Sequence, residues 1–516
     1  MLDFLIHSPL EHHARVSPDS PALSCDGRET TYAELDAAAN QVAHALLQSG
    51  LEPGDRVGIW LHKGLDLGPA IYGSLKAGGV FVPLDPFLPP ERLAFILGDC
   101  EIRHLVTSDA LVNRLAAVPG PFRPRVFGPS AEFATSWDAM RANPTTPPDV
   151  RLIDLDLGYI MYTSGSTGEP KGMMHTHHGS VSYARWGALH VGLNPADRVA
   201  SHAPLHFDLS VFDFFSTAQA GGTVVLVPEP VTKFPASWTQ YVQDERISVV
   251  FTVPYTLVEM LERGAMDERD LSSLRWVLFG GEPFPPKHLR ALMSALPDAR
   301  FTNVYGPAEA PSCTCYDVPV DFPEPVPIGT VSANSEDLVI DEEGLECGID
   351  EEGELCIRSS TLTRGYWNRP DLNEGAFLRR ESEGPFPHVF YRTGDVVVRR
   401  DDGLLHFLGR RDRMIKTRGH RVELDEVELA LAAVEGVREA AVFAVPDGRG
   451  SREIRAAVTL SGDSEVDVSG FRRLLRHRLP TYALPSAISV VESLPRTSSG
   501  KVSYRRLAEA ESGPES

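Results

Sequence analysis

Arg56-Val-Gly-Ile-Trp60, a helical pattern through Ala70-Ile-Tyr-Gly-Ser-Leu-Lys76, and Gly79-Val-Phe-Val-Pro83 follow one another within thirty residues. A short apolar run, a helix and a second short apolar run are the signature of an α/β unit. The order returns at Gly222-Thr-Val-Val-Leu-Val227, Ile247-Ser-Val-Val-Phe251 and Trp276-Val-Leu-Phe279, each beside a helical segment or a glycine-rich turn. The proline-rich stretch from Pro119 to Pro148 has little period and reads as a surface connection. Beyond Gly409-Arg-Arg-Asp-Arg413 the pattern changes. A helix around Glu423 to Val434, strands at Glu439–Val445 and Arg455–Leu460 and a helix from Gly470 to Leu479 describe a small α+β unit. We therefore expect a large α/β domain over 1–409 and a small domain over 410–516.

The chain has 516 residues, 42% of them apolar, which is too long for one core. No apolar run reaches the length of a membrane span, and the start lacks the basic segment and long apolar core of a secretion signal. A cytoplasmic protein is expected. A formal charge of −22 argues against a general binder of nucleic acid or anionic membrane. The six cysteines are scattered, without the spacing of a metal site.

The apolar run Gly158–Tyr162 reads as a buried strand that opens into Tyr162-Thr-Ser-Gly-Ser-Thr-Gly-Glu-Pro-Lys-Gly172. Glycines let backbone N–H groups approach an anion, hydroxyls add rotatable donors, and Lys171 adds a point charge. The segment suits phosphate, although a flexible turn has the same composition. It is not a Walker A loop, because Lys171 follows Gly168 by three residues across Pro170 and no Ser or Thr comes next.

Further segments bear on the choice: Asn303-Val-Tyr-Gly-Pro-Ala-Glu309, Tyr391-Arg-Thr-Gly-Asp395, Gly409-Arg-Arg-Asp412, Lys416-Thr-Arg-Gly-His-Arg-Val-Glu423 and Leu494-Pro-Arg-Thr-Ser-Ser-Gly-Lys501. With Thr31-Tyr-Ala-Glu-Leu35 and Leu75–Asp85, they make the chain resemble the acyl-adenylate-forming superfamily, which holds acyl-CoA synthetases, luciferases and the adenylation domains of nonribosomal peptide synthesis. The resemblance implies a large α/β N-terminal domain with β-sheet subdomains and a small mobile α+β domain. It also implies two steps: a carboxylate attacks the α-phosphate of Mg·ATP, then a thiol attacks the resulting acyl-adenylate.

By the same resemblance Thr163, Ser164, Gly165, Ser166, Thr167 and Gly168 handle the β- and γ-phosphates with Lys171. Glu309 holds magnesium, Asp395 takes the ribose hydroxyls with Arg410 nearby, and Gly281, Glu282, Pro283, Asn303, Val304 and Tyr305 contact adenine. Lys501 bridges the substrate carboxylate and α-phosphate; an exposed tail lysine is the plain alternative. Asp412 is the hinge of the small domain, and Gly419 lies on the loop that enters for thioester formation. The chain departs from the family pattern at Ala308, where Thr is usual, and at Ser359-Ser360, where glycine is common.

Asp208, in His206-Phe-Asp-Leu-Ser-Val-Phe-Asp213, matches the carboxylate that meets a substrate α-ammonium, which separates amino-acid activators from fatty- or aryl-acid ones. A buried ammonium needs such a counter-charge; an N-cap Asp is the structural alternative. The other pocket positions match Leu209, Phe212, Thr252, Leu278, Gly280, Val304, Ser312 and Cys313, none charged. A small neutral amino acid is expected: alanine first, then glycine or serine, with proline the main rival and a D-alanine–carrier ligase also similar.

The absence of a phosphopantetheine-carrying segment after Lys501 leads us to expect a free-standing ligase that loads a separate carrier protein. The basic cluster Arg472–Arg478 could dock an acidic carrier, or be the solvated face of an amphipathic helix, which is the better reading. The competing classes are an acyl-CoA synthetase, a luciferase and a non-enzymatic binding module.

Overall fold

The computed structural model describes residues 4–130, 134–165, 168–381, 384–460, 468–496 and 502–512. The stretch read first folds as expected: strand Arg56–Trp60, helix Leu67–Lys76 and strand Val80–Pro83, with the two strands parallel. They lie inside a seven-stranded sheet that continues through Leu157–Thr163 to the edge strand Lys171–Thr176. Only this last pair is antiparallel, with Thr163 opposite Lys171. The segment suited to phosphate is therefore the turn of an edge hairpin, and Lys171 is its first strand residue after the turn.

A nine-stranded sheet is built around the parallel neighbours Arg300–Tyr305, Trp276–Gly280, Val249–Thr252, Arg198–Ser201 and Thr223–Leu226. Strands covered on both faces need continuous apolar runs, which explains why these segments read as runs rather than alternations. One core joins both sheets through Ile59, Phe81, Tyr159, Phe251, Leu278 and Val304. A five-stranded antiparallel sheet follows, in which His388–Arg399 pairs with Leu405–Arg410 so that Asp395 faces Arg410.

The smaller C-terminal domain has its own core, built on Val422, Val427, Leu431, Val442, Phe471 and Leu475. Helix Leu424–Ala432 packs on a sheet of Val437–Pro446, Arg452–Leu460 and Ala487–Val490. A hairpin, Met414–Thr417 with His420–Glu423, precedes that helix and was not anticipated. In helix Val468–Leu475 and the turn after it, Phe471 and Leu475 are buried while Arg472, Arg473, Arg476 and Arg478 are exposed, the arrangement of an amphipathic helix with a solvated basic face.

Pro119 to Pro148 is not a bare connection. It contains strands Arg125–Gly128 and Ala134–Ser136 and helix Trp137–Arg141, and it buries Phe127 and Met140. Elements of three to five residues are too short to show a period between flanking prolines.

Two of the quoted motifs are structural. Thr31 Oγ1 accepts from Glu34 N–H at 3.2 Å and Glu34 Oε2 accepts from Thr31 N–H at 2.9 Å, a capping box that starts helix Tyr32–Gln48. Lys76 is buried, with its ammonium 2.7 Å from Asp36, 2.8 Å from Asn40 and 3.0 Å from Glu11. The Ser359-Ser360 departure is accommodated locally: Ser335 donates to Ser359 Oγ and Asn334 donates to Ser360 Oγ, both at 2.8 Å. Among the described residues no helix is long and apolar enough to cross a membrane.

Candidate functional site

The edge hairpin brings Thr163, Ser164 and Lys171 to one end of the seven-stranded sheet, where they meet Glu309 from the loop after Arg300–Tyr305. Lys171 Nζ lies 3.9 Å from Glu309, 4.0 Å from Glu423 and 5.1 Å from the centre of the Tyr366 ring. Burial, then the neighbouring Arg421 charge, lowers its pKa to about 8. Thr163 Oγ1 is buried with no hydrogen-bond partner among the described residues, so the loop carries a hydroxyl free for a ligand oxygen. Gly168 has φ +84°, which favours glycine. Ser166, Thr167 and Lys501 lie outside the described residues.

Glu309 is 0% exposed. Arg421 Nη1 donates to Oε1 at 3.0 Å and to Oε2 at 2.9 Å, and the Tyr366 hydroxyl donates to Oε1 at 2.7 Å. Burial alone would push the carboxyl up, but Arg421 and then Lys171 outweigh it and hold it well below the usual carboxylate range. A carboxylate kept ionised against its burial suits a hard cation. Among the described residues no group of three or more His, Cys, Asp or Glu side chains could hold a metal, so a magnesium ion there would share Glu309 with oxygens from the phosphates.

Asp395 stands between Tyr305, whose hydroxyl donates to it, and Arg410. The Arg410 guanidinium also forks onto Asp412, with Nε–Oδ1 at 2.7 Å and Nη2–Oδ2 at 2.6 Å. Asp395, Arg410, Asp412, Asn303, Tyr305 and Pro283 line a cleft of about 580 Å³. Asn303 is fixed by donating to the Pro327 carbonyl at 2.7 Å. Glu282 is buried, and its Oε1 accepts from Gly419 N–H at 2.7 Å and Ser451 Oγ at 3.0 Å. In this arrangement it holds the small domain.

A second cavity of about 110 Å³ is lined by Asp208, Leu209, Gly280, Val304 and Ser312 from the sequence-predicted set. Phe212, Thr252, Leu278 and Cys313 do not reach it. They are buried behind its wall: Phe212 packs edge-on to Phe251 at 5.5 Å, Thr252 Oγ1 meets His202 Nδ1 at 3.2 Å, and the Cys313 thiol points to the Tyr305 carbonyl at 3.5 Å. Tyr183, Phe251, Met161 and Met173 take their places on the wall. Adjacent strand residues point to opposite faces, so Phe251 facing inward turns Thr252 away. No signal in the sequence singled out Tyr183.

Burial raises the Asp208 carboxyl above its ordinary value, and the Lys416 ammonium opposes the rise. Lys416 has its own pKa lowered by burial, with Asp395 and Asp208 acting the other way. It is a cation acting on two predicted site carboxylates, and although it heads the Lys-Thr-Arg-Gly segment no motif marked it as a site residue. The Met414–Glu423 hairpin carries it there. Gly419, at the turn, has φ +82°, and a Cβ added there would stand 2.6 Å from Val253 Cγ1. His420 stacks on Tyr482 at 3.8 Å and meets the edge of Phe207 at 5.0 Å. A buried pair, Arg92–Glu426, and Arg449–Glu259 at 2.6 Å tie the small domain to the large one.

The family described as AMP-binding enzyme matches residues 10–367, and the family described as AMP-binding enzyme C-terminal domain matches 426–501. The chain is 35% identical to an L-proline–[L-prolyl-carrier protein] ligase of Pseudomonas fluorescens, over 98% of this chain and 99% of that protein. It is also 35% identical to an L-proline–[L-prolyl-carrier protein] ligase of Streptomyces coelicolor, over 92% and 91%. Among solved structures it is similar to the amide bond synthetase McbA from Marinactinospora thermotolerans, at 26% identity and a TM-score of 0.87, over 98% and 99% of the two chains.

Proposed function

The chain belongs to the AMP-binding enzyme family, and from that membership we propose that it activates L-proline with ATP as prolyl-adenylate and passes the prolyl group to the phosphopantetheine thiol of a separate carrier protein. The observation that carries the reading is Asp208, an acid in the wall of a small cavity whose lining joins apolar Met161, Met173, Leu209, Phe251 and Val304 to charged Asp395, Arg410, Lys416 and Arg421. An ammonium there has a counter-charge, and the atoms beyond it meet apolar surface. Each buried methylene contributes roughly 0.8 kcal/mol, so the three methylenes of a prolyl ring gain more from such walls than the single methyl of alanine. Alanine, the first expectation from the sequence, has no counterpart in the names of the two free-standing relatives, whereas proline has.

In the first half-reaction a carboxylate oxygen of proline attacks the α-phosphorus of ATP, forming the acyl–phosphate bond as the bond to pyrophosphate breaks. Lys171 and the Thr163 hydroxyl hold the departing phosphates, and Asp395, oriented by Tyr305 and Arg410, accepts from the ribose hydroxyls. Lys501 is assigned the developing charge between carboxylate and α-phosphate. Bound at Glu309, magnesium would supply positive charge to the phosphates. In the second half-reaction the thiol sulfur attacks the carbonyl, the thioester forms and AMP leaves.

We assign the placement of the Met414–Glu423 hairpin to this second stage. Gly419 in the cavity wall leaves room that a side chain would fill. The boundary between 409 and 410, with Asp412 as the hinge, belongs to the same proposal. Pyrophosphate exchange across an amino-acid panel tests the substrate: L-proline should give the highest rate, and a maximum with a charged or large aromatic amino acid would overturn the reading.

A further inference from the structure

Building on the adenylating reading, we propose that Tyr183 is a specificity-determining residue of the amino-acid cavity, its ring forming a fixed wall that limits the substrate side chain to about the size of a prolyl ring. Tyr183 is buried and lines the same cavity as Asp208. It sits on helix His177–Val191 with Gly179 and Gly187 four residues to either side, so the three share one face. A Cβ on Gly187 would stand 2.5 Å from Ser216 Oγ and 2.7 Å from Phe212 Cδ2, and one on Gly179 would stand 3.0 Å from the Ser360 carbonyl oxygen. The helix therefore lies close against its neighbours at both glycines, and the ring between them is carried into the cavity wall.

Contacts on two sides keep the ring there. Ser312, another wall residue, hydrogen-bonds the phenol from a left-handed backbone with φ +51°. Behind the ring, Trp186 stacks at 6.1 Å, His190 stacks on Trp186 at 5.3 Å, and His190 Nε2 meets Asp317 at 3.1 Å. Met161 and Met173, on the same wall, are unbranched and adapt to what they meet; the braced ring does not. Burial raises the phenol well above its ordinary pKa and the Asp208 charge adds to the rise, so a neutral ring stands near the carboxylate assigned to the ammonium. A substrate held there must pass its side chain beside Tyr183. Even taken whole, the cavity of about 110 Å³ is smaller than the apolar cavities of about 150 Å³ that take up benzene. A phenyl side chain needs room that the tyrosine ring fills.

Pyrophosphate exchange with proline, alanine, leucine and phenylalanine tests this in the full chain and in Tyr183→Phe, Tyr183→Leu and Tyr183→Ala. One methylene in an apolar pocket changes kcat/KM about tenfold or more. The ratio of phenylalanine to proline should therefore rise at least tenfold in Tyr183→Ala, and by a smaller factor in Tyr183→Leu, which decides the matter if Tyr183→Ala does not fold. Tyr183→Phe keeps the ring and loses the bond to Ser312, and its ratio should stay within about threefold of the wild type. A role in folding alone would lower all four rates together and leave every ratio unchanged. Unchanged ratios in Tyr183→Ala and Tyr183→Leu, or a Tyr183→Phe as relaxed as Tyr183→Ala, would overturn the proposal. Exchange with no amino acid in the wild type would overturn the adenylating reading instead, and binding of the same four amino acids, followed by tryptophan fluorescence, would still report on Tyr183 through the same ratios.

Discussion

Replacing Asp208 by Asn keeps the shape of the cavity wall and removes its negative charge. Asp208 is held in a site where burial already disfavours its ionised form and where Lys416 is the cation acting on it most strongly. A substrate ammonium meeting this carboxylate forms a buried ion pair, and removing one partner of such a pair costs about 3–5 kcal/mol. Lys416 is present in wild type and variant alike, so its repulsion of the incoming ammonium cancels in the comparison. At 1.4 kcal/mol per factor of ten, the lower part of that range lowers kcat/KM for proline by about 100- to 1000-fold. The effect should fall on proline, with the KM for ATP changing little.

The sign with pH follows from the same charges. The ionised carboxylate binds the ammonium, so the wild-type KM for proline rises as pH falls through the raised pKa of Asp208, and Asp208→Asn loses that limb. Steady-state pyrophosphate exchange, with proline varied at several pH values, reads both effects. A loss below fivefold, or a retained acid limb, would refute the assignment of Asp208 to the substrate ammonium.

Gly419→Val puts carbon where Val253 stands, at a backbone angle that disfavours side chains; carrier loading should fall at least tenfold while pyrophosphate exchange falls less than threefold, as read by mass detection of the thioester. Asp412→Pro should likewise spare adenylate formation and depress thioester formation, and equal loss of both would count against a hinge there. Lys171 titrates at about 8, so kcat/KM for ATP should decline as pH rises through that value and its ammonium is lost; Lys171→Arg should move the decline to higher pH. Lys76→Met leaves Asp36 and Glu11 without their buried cation and should cost about 3–5 kcal/mol in urea unfolding, with pyrophosphate exchange per folded molecule unchanged.

The sequence was most informative where chemistry and backbone demand coincide. Parallel strands buried on both faces had to be apolar runs, and Arg56–Trp60 was placed to the residue. The motifs and the resemblance they carry point to Lys171, Glu309, Asp208, Asp395 and Arg410, and the structure sets Lys171 beside Glu309 and Asp395 beside Arg410. What stayed hidden depended on contacts between distant segments. Arg421 reaches Glu309 across 112 positions and Gly419 reaches Glu282 across 137, and a hairpin of two four-residue strands has no period that announces where its tip will sit. Thr252 lies behind the cavity wall for a different reason, since residues matched by position do not reveal which face of the pleat a neighbour such as Phe251 occupies.

Adenylation of proline at this site can be read directly from pyrophosphate exchange. Purified chain, Mg·ATP, labelled pyrophosphate and single amino acids test it in one measurement. L-proline should give the fastest exchange, at least tenfold above alanine, glycine and serine; a higher rate with alanine than with proline, or exchange with none of them, would contradict the assignment of proline.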